Sequence, residues 1–154
     1  MLSDDVFRKE LGAAVMALNA WGDAFKDVAA IDVRDAAGYW RMSARPQTAA
    51  AAPLTLVLRA DQKFDLAIAG EKFEDREIED FELFVAIARA VSTGNVERLT
   101  TRCAVTGRLK ASEMVLIFDD GSVWRSERSL GARTVPGVAG GEEVRTQRFL
   151  PYRR

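Results

Sequence analysis

The chain has 154 residues, 48% hydrophobic and 29% charged, an ordinary composition for one folded domain that excludes wholesale disorder. Its formal net charge of −1 gives no global pull toward nucleic acid or an anionic membrane. With one cysteine, Cys103, and no histidine, an internal disulfide, every histidine metal site and the Ser-His and Cys-His nucleophile systems are excluded.

The first predicted element is a long amphipathic helix over residues 4–27. Phe7, Leu11, Ala14, Val15, Leu18, Trp21 and Phe25 recur at three- and four-residue spacing and so share one face. Ser3 is placed to cap it, and Asp4 and Asp5 sit where the helix dipole favours negative charge. A short strand over 38–45 follows, then a loop, because Pro46 and Pro53 bracket an alanine run and each biases the residue before it away from helical geometry. Residues 54–60 and 63–69 read as a hairpin: Leu54, Leu56 and Leu58 alternate in one arm, and Phe64, Leu66 and Ile68 in the other. Asp61-Gln62 at its tip lacks the usual glycine.

A second helix is predicted over 76–93, capped by Asp75, with acids in its first turns and Gly94 as its stop. Its apolar face, which includes Ile78, Phe81, Phe84, Val85, Ala88 and Val91, is wide enough to predict contact on two sides. The remainder reads as strand. Leu99, Thr101 and Cys103 alternate with Arg98, Thr100 and Arg102, which assigns the arginines to a wet face. Met114 to Phe118 is the continuous apolar run of a strand covered on both faces, and Asp119-Asp120-Gly121 is a hairpin turn leading to a returning strand over 123–128. Residues 131–142 read as a glycine-rich flexible loop, and 143–154 as a last strand with a basic tail.

These elements predict one α+β domain over 1–154: two amphipathic helices packed on one face of a mostly antiparallel sheet of about six to seven strands. The apolar patterns of 54–58 and 114–118 also match, which admits a duplicated α-β-β-β unit over 3–70 and 75–130. The lone thiol, the acidic N-terminal residues and the lack of an apolar run of about 18 residues together predict a cytoplasmic protein that does not enter a membrane.

Chemistry-bearing patterns are sparse. No phosphate-binding loop, dinucleotide fingerprint or nucleophile elbow is present, so no cofactor, metal or catalytic residue is assigned. Glu71, Glu74, Asp75, Glu77, Glu79, Asp80 and Glu82 form an acidic block that reads as helix-start charge, with Glu79 sharing a helix face with Asp75 or Glu82. Cys103 reads as an inert buried thiol, and Trp21, Trp40 and Trp124 as core or pocket lining. The strongest surface signal is seven arginines against three glutamates from Ser122 onward. Joined by residues of the preceding strand, it gives a candidate interaction surface of Arg98, Arg102, Arg125, Arg128, Arg145, Arg148, Phe149 and Tyr152. The leading expectation is a non-catalytic protein engaging a protein partner or a second copy of itself as a homodimer. A small-ligand pocket or a histidine-free carboxylate enzyme is the alternative. Nucleic-acid binding through the arginines is a third, disfavoured by a pI near 5.6.

Overall fold

The computed structural model describes residues 1–129 and 141–153. The fold is α+β, with two helices and nine strands in two antiparallel sheets. The expectation of a single sheet of six to seven strands is therefore corrected.

Helix α1 (Asp4–Phe25) buries the predicted stripe, with Phe7, Ala14, Leu18 and Trp21 inside. Five strands then run as a meander in chain order: β1 (Ala29–Ala36), β2 (Tyr39–Pro46), β3 (Leu54–Arg59), β4 (Lys63–Ile68) and β5 (Glu71–Glu77). Leucines 54, 56 and 58 with Phe64, Leu66 and Ile68 form the inner face of its centre, as their alternation predicts. Gln62 takes the left-handed turn position at φ 63°, and its side-chain amide pairs with the backbone of Leu2 at 2.9 and 2.8 Å.

The two missed strands are the sheet's edges. β1 is mostly exposed, and β5 (EKFEDRE) buries one apolar side chain, Phe73, so neither carries a period-2 apolar signal. The signal for β5 lay in its turn. Ala69 (φ 51°) and Gly70 (φ 86°) form a two-residue connection with both residues left-handed, the geometry that suits the twist of a tight hairpin. The charged segment predicted to start a helix is thus strand and connection, and helix α2 (Glu82–Thr93) starts six residues later than expected. Asp80, not Asp75, accepts the Glu82 N–H, at 3.0 Å. Gly94 ends the helix at φ 79°, donating to the carbonyls of Ala90 and Val91.

The second sheet comprises β6 (Val96–Cys103), β7 (Leu109–Ile117), β8 (Val123–Ser129) and β9 (Glu142–Arg148), in the order β8-β7-β6-β9. The turn at Asp119-Asp120-Gly121 and the last strand lie where the sequence puts them; the predicted glycine-rich loop falls largely on 131–140, outside the described residues. α2 meets α1, the first sheet through Phe64 and Phe84 (centroids 5.1 Å apart), and β7 of the second sheet. The sheets join at β5, where Phe73 packs edge-on against Trp124 and Arg76 donates to the Ser126 hydroxyl at 3.1 Å. No helix among the described residues is long and apolar enough to cross a membrane.

Candidate functional site

The predicted arginine-aromatic surface does not come together as one face. Strand register sets Arg98 opposite Met114, which is itself opposite Ser126, so Arg98 lies on the inner face of the second sheet. There it donates to the Ala69 carbonyl, lies over the Phe149 ring, and holds its Nε 3.6 Å from Glu71 Oε1, an ion-pair distance too long for a hydrogen bond. The assignment of Arg98 to the wet face is reversed: this end of the inner face meets the carboxylate-bearing edge strand β5. Arg102 donates to the Gly107 carbonyl at 3.1 Å. On the outer face Arg125 pairs with Glu113 at 3.0 Å and Arg148 with Glu97 at 3.2 Å. Arg145 pairs with Glu143 at 3.4 Å, and Arg128 occupies the β8 position opposite Ser112.

Phe149 and Tyr152 belong to the core, which corrects their assignment to the surface. The segment 149–153 runs back across the molecule as a strap. Leu150 bridges to Ala51, the Tyr152 N–H donates to the Ser92 carbonyl, and its hydroxyl donates to the Ala52 carbonyl at 2.7 Å. The Tyr152 ring packs against Trp21 and Phe25, and burial pushes its phenol well above the usual range. Arg153 then bonds Asp27 and the Ala24 carbonyl and lies over Phe25. Trp21 and Trp40 are likewise core, with the Trp21 indole donating to the Ser92 hydroxyl.

Cys103 is half-exposed at the end of β6, not a buried thiol. The Thr106 hydroxyl and the backbone N–H groups of Thr106 and Val105 stabilise its thiolate and lower its pKa to about 7. Among the described residues no group of three or more Cys, Asp or Glu side chains is placed to hold a metal ion.

A concavity lies elsewhere, between α1, α2 and the β7–β8 turn. It is a trough of about 940 Å³, open to solvent. Its floor is apolar. Phe64 and Phe81 lie deepest, with the half-buried Leu83, Val85, Phe118 and Trp124 around them, and Ala13, Ala14 and Ala17 of α1 form one wall. Its rim is acidic. Seven carboxylates (Glu10, Glu77, Glu79, Asp80, Glu82, Asp119 and Asp120) face two arginines, Arg76 and Arg89.

Two of these acids have local structural work. Asp80 accepts the Glu82 N–H at the start of α2, and Asp120 accepts from the N–H and hydroxyl of Ser122, which hold its carboxyl below the usual range. The other five form no ion pair among the described residues. Arg76 is already engaged with Ser126 and the Phe73 ring. The expected sharing of a helix face by Asp75 and Glu79 does not arise, because Asp75 sits on β5 with its carboxylate held down by Arg59.

The rim's components are legible one by one: six of its acids come from the acidic block and the Asp119-Asp120 turn, and Glu10 from α1. Their convergence is tertiary, arising because the connection from β5 to α2 ends beside the β7–β8 turn. No family model matches the chain, and comparison with curated proteins and with solved structures finds no match.

Proposed function

We propose that this chain is a non-catalytic binding protein that receives a segment of a partner protein in the trough between α1, α2 and the β7–β8 turn. One observation carries the reading: an open concavity whose apolar floor is partly exposed to solvent inside an acidic rim. Apolar surface left in a concave site gains free energy when a partner covers it, at about 25 cal/mol per Å² removed from water. The rim carboxylates are groups that can move protons, which keeps a carboxylate-based activity as the alternative at this site. The small-ligand reading shares this site, because about 940 Å³ lies within the span of small-molecule pockets.

Selection of displayed random peptides on the full chain tests the proposal. The variant Ala13→Gln/Ala17→Gln lengthens two exposed wall side chains while keeping helix-compatible residues. Peptides enriched on the native chain and lost on that variant support the reading. Failure to enrich any peptide, or enrichment that the variant leaves unchanged, overturns it. A native dimer that the variant dissolves would redirect it to self-association.

A further inference from the structure

We infer that the segment taken by the trough is a cationic amphipathic helix; this rests on the binding reading above and names the chemistry of its partner. The first ground is charge. The molecule's formal net charge is only −1, yet the trough alone gathers seven acids against two arginines. Elsewhere several opposite charges are matched: Arg41 meets Asp32, Arg59 meets Asp61, Arg125 meets Glu113, Arg148 meets Glu97 and Arg153 meets Asp27. Paired charges largely cancel at a distance, so the unpaired carboxylates of the rim dominate the field beside the apolar floor. A low-dielectric floor flanked mainly by one sign of charge focuses that field on whatever enters.

The second ground is shape. Ala13 and Ala17 stand four residues apart on α1 and so share a face, and the wall they form with Ala14 is low. Val85, Ala86 and Arg89 stand opposite on α2. Small side chains let a third helix approach both at ordinary helix-packing separation, about 8–10 Å between axes. Such a helix would set residues at i, i+3, i+4 and i+7 on Phe118, Trp124 and Val85, and present lysine or arginine to both rims. An anionic helix would meet Glu77, Glu79 and Glu82 on one side and Asp119 on the other, with only Arg76, already engaged with Ser126, and Arg89 to relieve it. A purely polar cation would leave the floor wet.

The test uses the full chain and four probes. They are an 18-residue amphipathic Leu/Lys peptide, its Leu/Glu counterpart in the same pattern, a Leu/Lys peptide of the same composition with the pattern scrambled, and spermine. The Leu/Lys peptide is expected to bind at least about tenfold tighter than the other two peptides by fluorescence anisotropy, to gain helical circular dichroism on binding, and to weaken with added salt. Glu77→Gln/Glu79→Gln/Glu82→Gln should weaken it by about tenfold. The variant Asp23→Asn/Asp35→Asn/Glu127→Gln, which removes as many carboxylates outside the trough, should leave it within about twofold. Equal loss in both variants, equal binding of the scrambled peptide, or spermine competing as well as the Leu/Lys peptide overturns the inference. If display-selected peptides occupy the trough while Leu/Glu binds as well as Leu/Lys, the binding reading stands and the cationic helix falls. If Ala13→Gln/Ala17→Gln takes up the Leu/Lys peptide unchanged, the trough is not its site and both fall.

Discussion

The arginine-rich second sheet and the acid-rimmed trough carry comparable charge densities in sequence, and the fold treats them in opposite ways. Arginine side chains are long, and the antiparallel register lays carboxylates within their reach: Glu97 lies directly opposite Arg148, and Glu113 lies one rung diagonally from Arg125. The acids of the trough are short. They project from α1, the end of β5, the start of α2 and a turn. Lys63 lies across from Glu77 in the strand register and Arg76 and Arg89 share the trough, yet Glu10, Glu77, Glu79, Glu82 and Asp119 form no ion pair among the described residues. A run of like charge therefore shows how much charge a segment holds, whereas the pairing geometry of its element decides whether that charge stays free. Exposed ion pairs contribute only about 0–1 kcal/mol each, so those on the second sheet chiefly cancel field.

The strap that ends the chain is where removing one side chain should do most to break this comparison, because its aromatics were the other half of the predicted surface. Tyr152→Ala should cost about 3–5 kcal/mol in denaturant unfolding, the range for deleting a fully buried aromatic. An unchanged midpoint would mean that the strap is detachable, restoring Phe149 and Tyr152 as candidates for a surface role. Gly94→Ala comes next. A β-carbon there would lie 2.8 Å from the backbone nitrogen of Pro151, and the left-handed φ of 79° adds strain of its own. A loss of about 2 kcal/mol or more is expected, with strap and helix end loosened together in hydrogen exchange.

A direct contrast between the two charge regions follows. Arg98→Ala removes a mostly buried guanidinium from Glu71, the Ala69 carbonyl and the Phe149 ring, and should cost about 2 kcal/mol. Glu79→Gln, at an exposed acid with no ion pair among the described residues, should change stability by less than about 0.5 kcal/mol. Similar costs at the two positions would show that the rim acids are structural, and would remove the ground for giving them to a partner.

Sequence patterning was informative where burial is one-sided and periodic. The stripe of α1, the alternating arms of β3 and β4, and the apolar run of β7 all follow from spacing. It failed at the sheet edges. In β5 the single inward Phe73 cannot make a period, and its charges imitate a helix start; the Ala69-Gly70 turn was the available clue. The inner position of Arg98 was hidden for a related reason. Alternation separates the two faces of β6 but does not say which is inside, and an arginine facing Glu71 on a neighbouring sheet satisfies burial that apolar patterning would assign to Leu99. The trough combines parts from four distant stretches of chain, so each acid cluster was visible and their meeting was not.

The smallest effect expected concerns Cys103, which carries the theme of internal satisfaction to the margin of the second sheet. Its thiolate accepts from the Thr106 hydroxyl and two backbone N–H groups, so alkylation by iodoacetamide should reach half its maximal rate near pH 7, the value to which the thiol is lowered. Thr106→Val deletes the largest stabilising group and should move that midpoint up toward the ordinary thiol value near 8.5. The sign for folding follows from the same shift. A thiol more acidic in the folded chain releases its proton earlier there, so its contribution to stability is present above the unfolded-chain value and is lost as pH falls through about 7. A midpoint that Thr106→Val leaves in place would show that the turn at the end of β6 does not hold the anion, and would leave Arg102 and Lys110 as the charges to test in its stead.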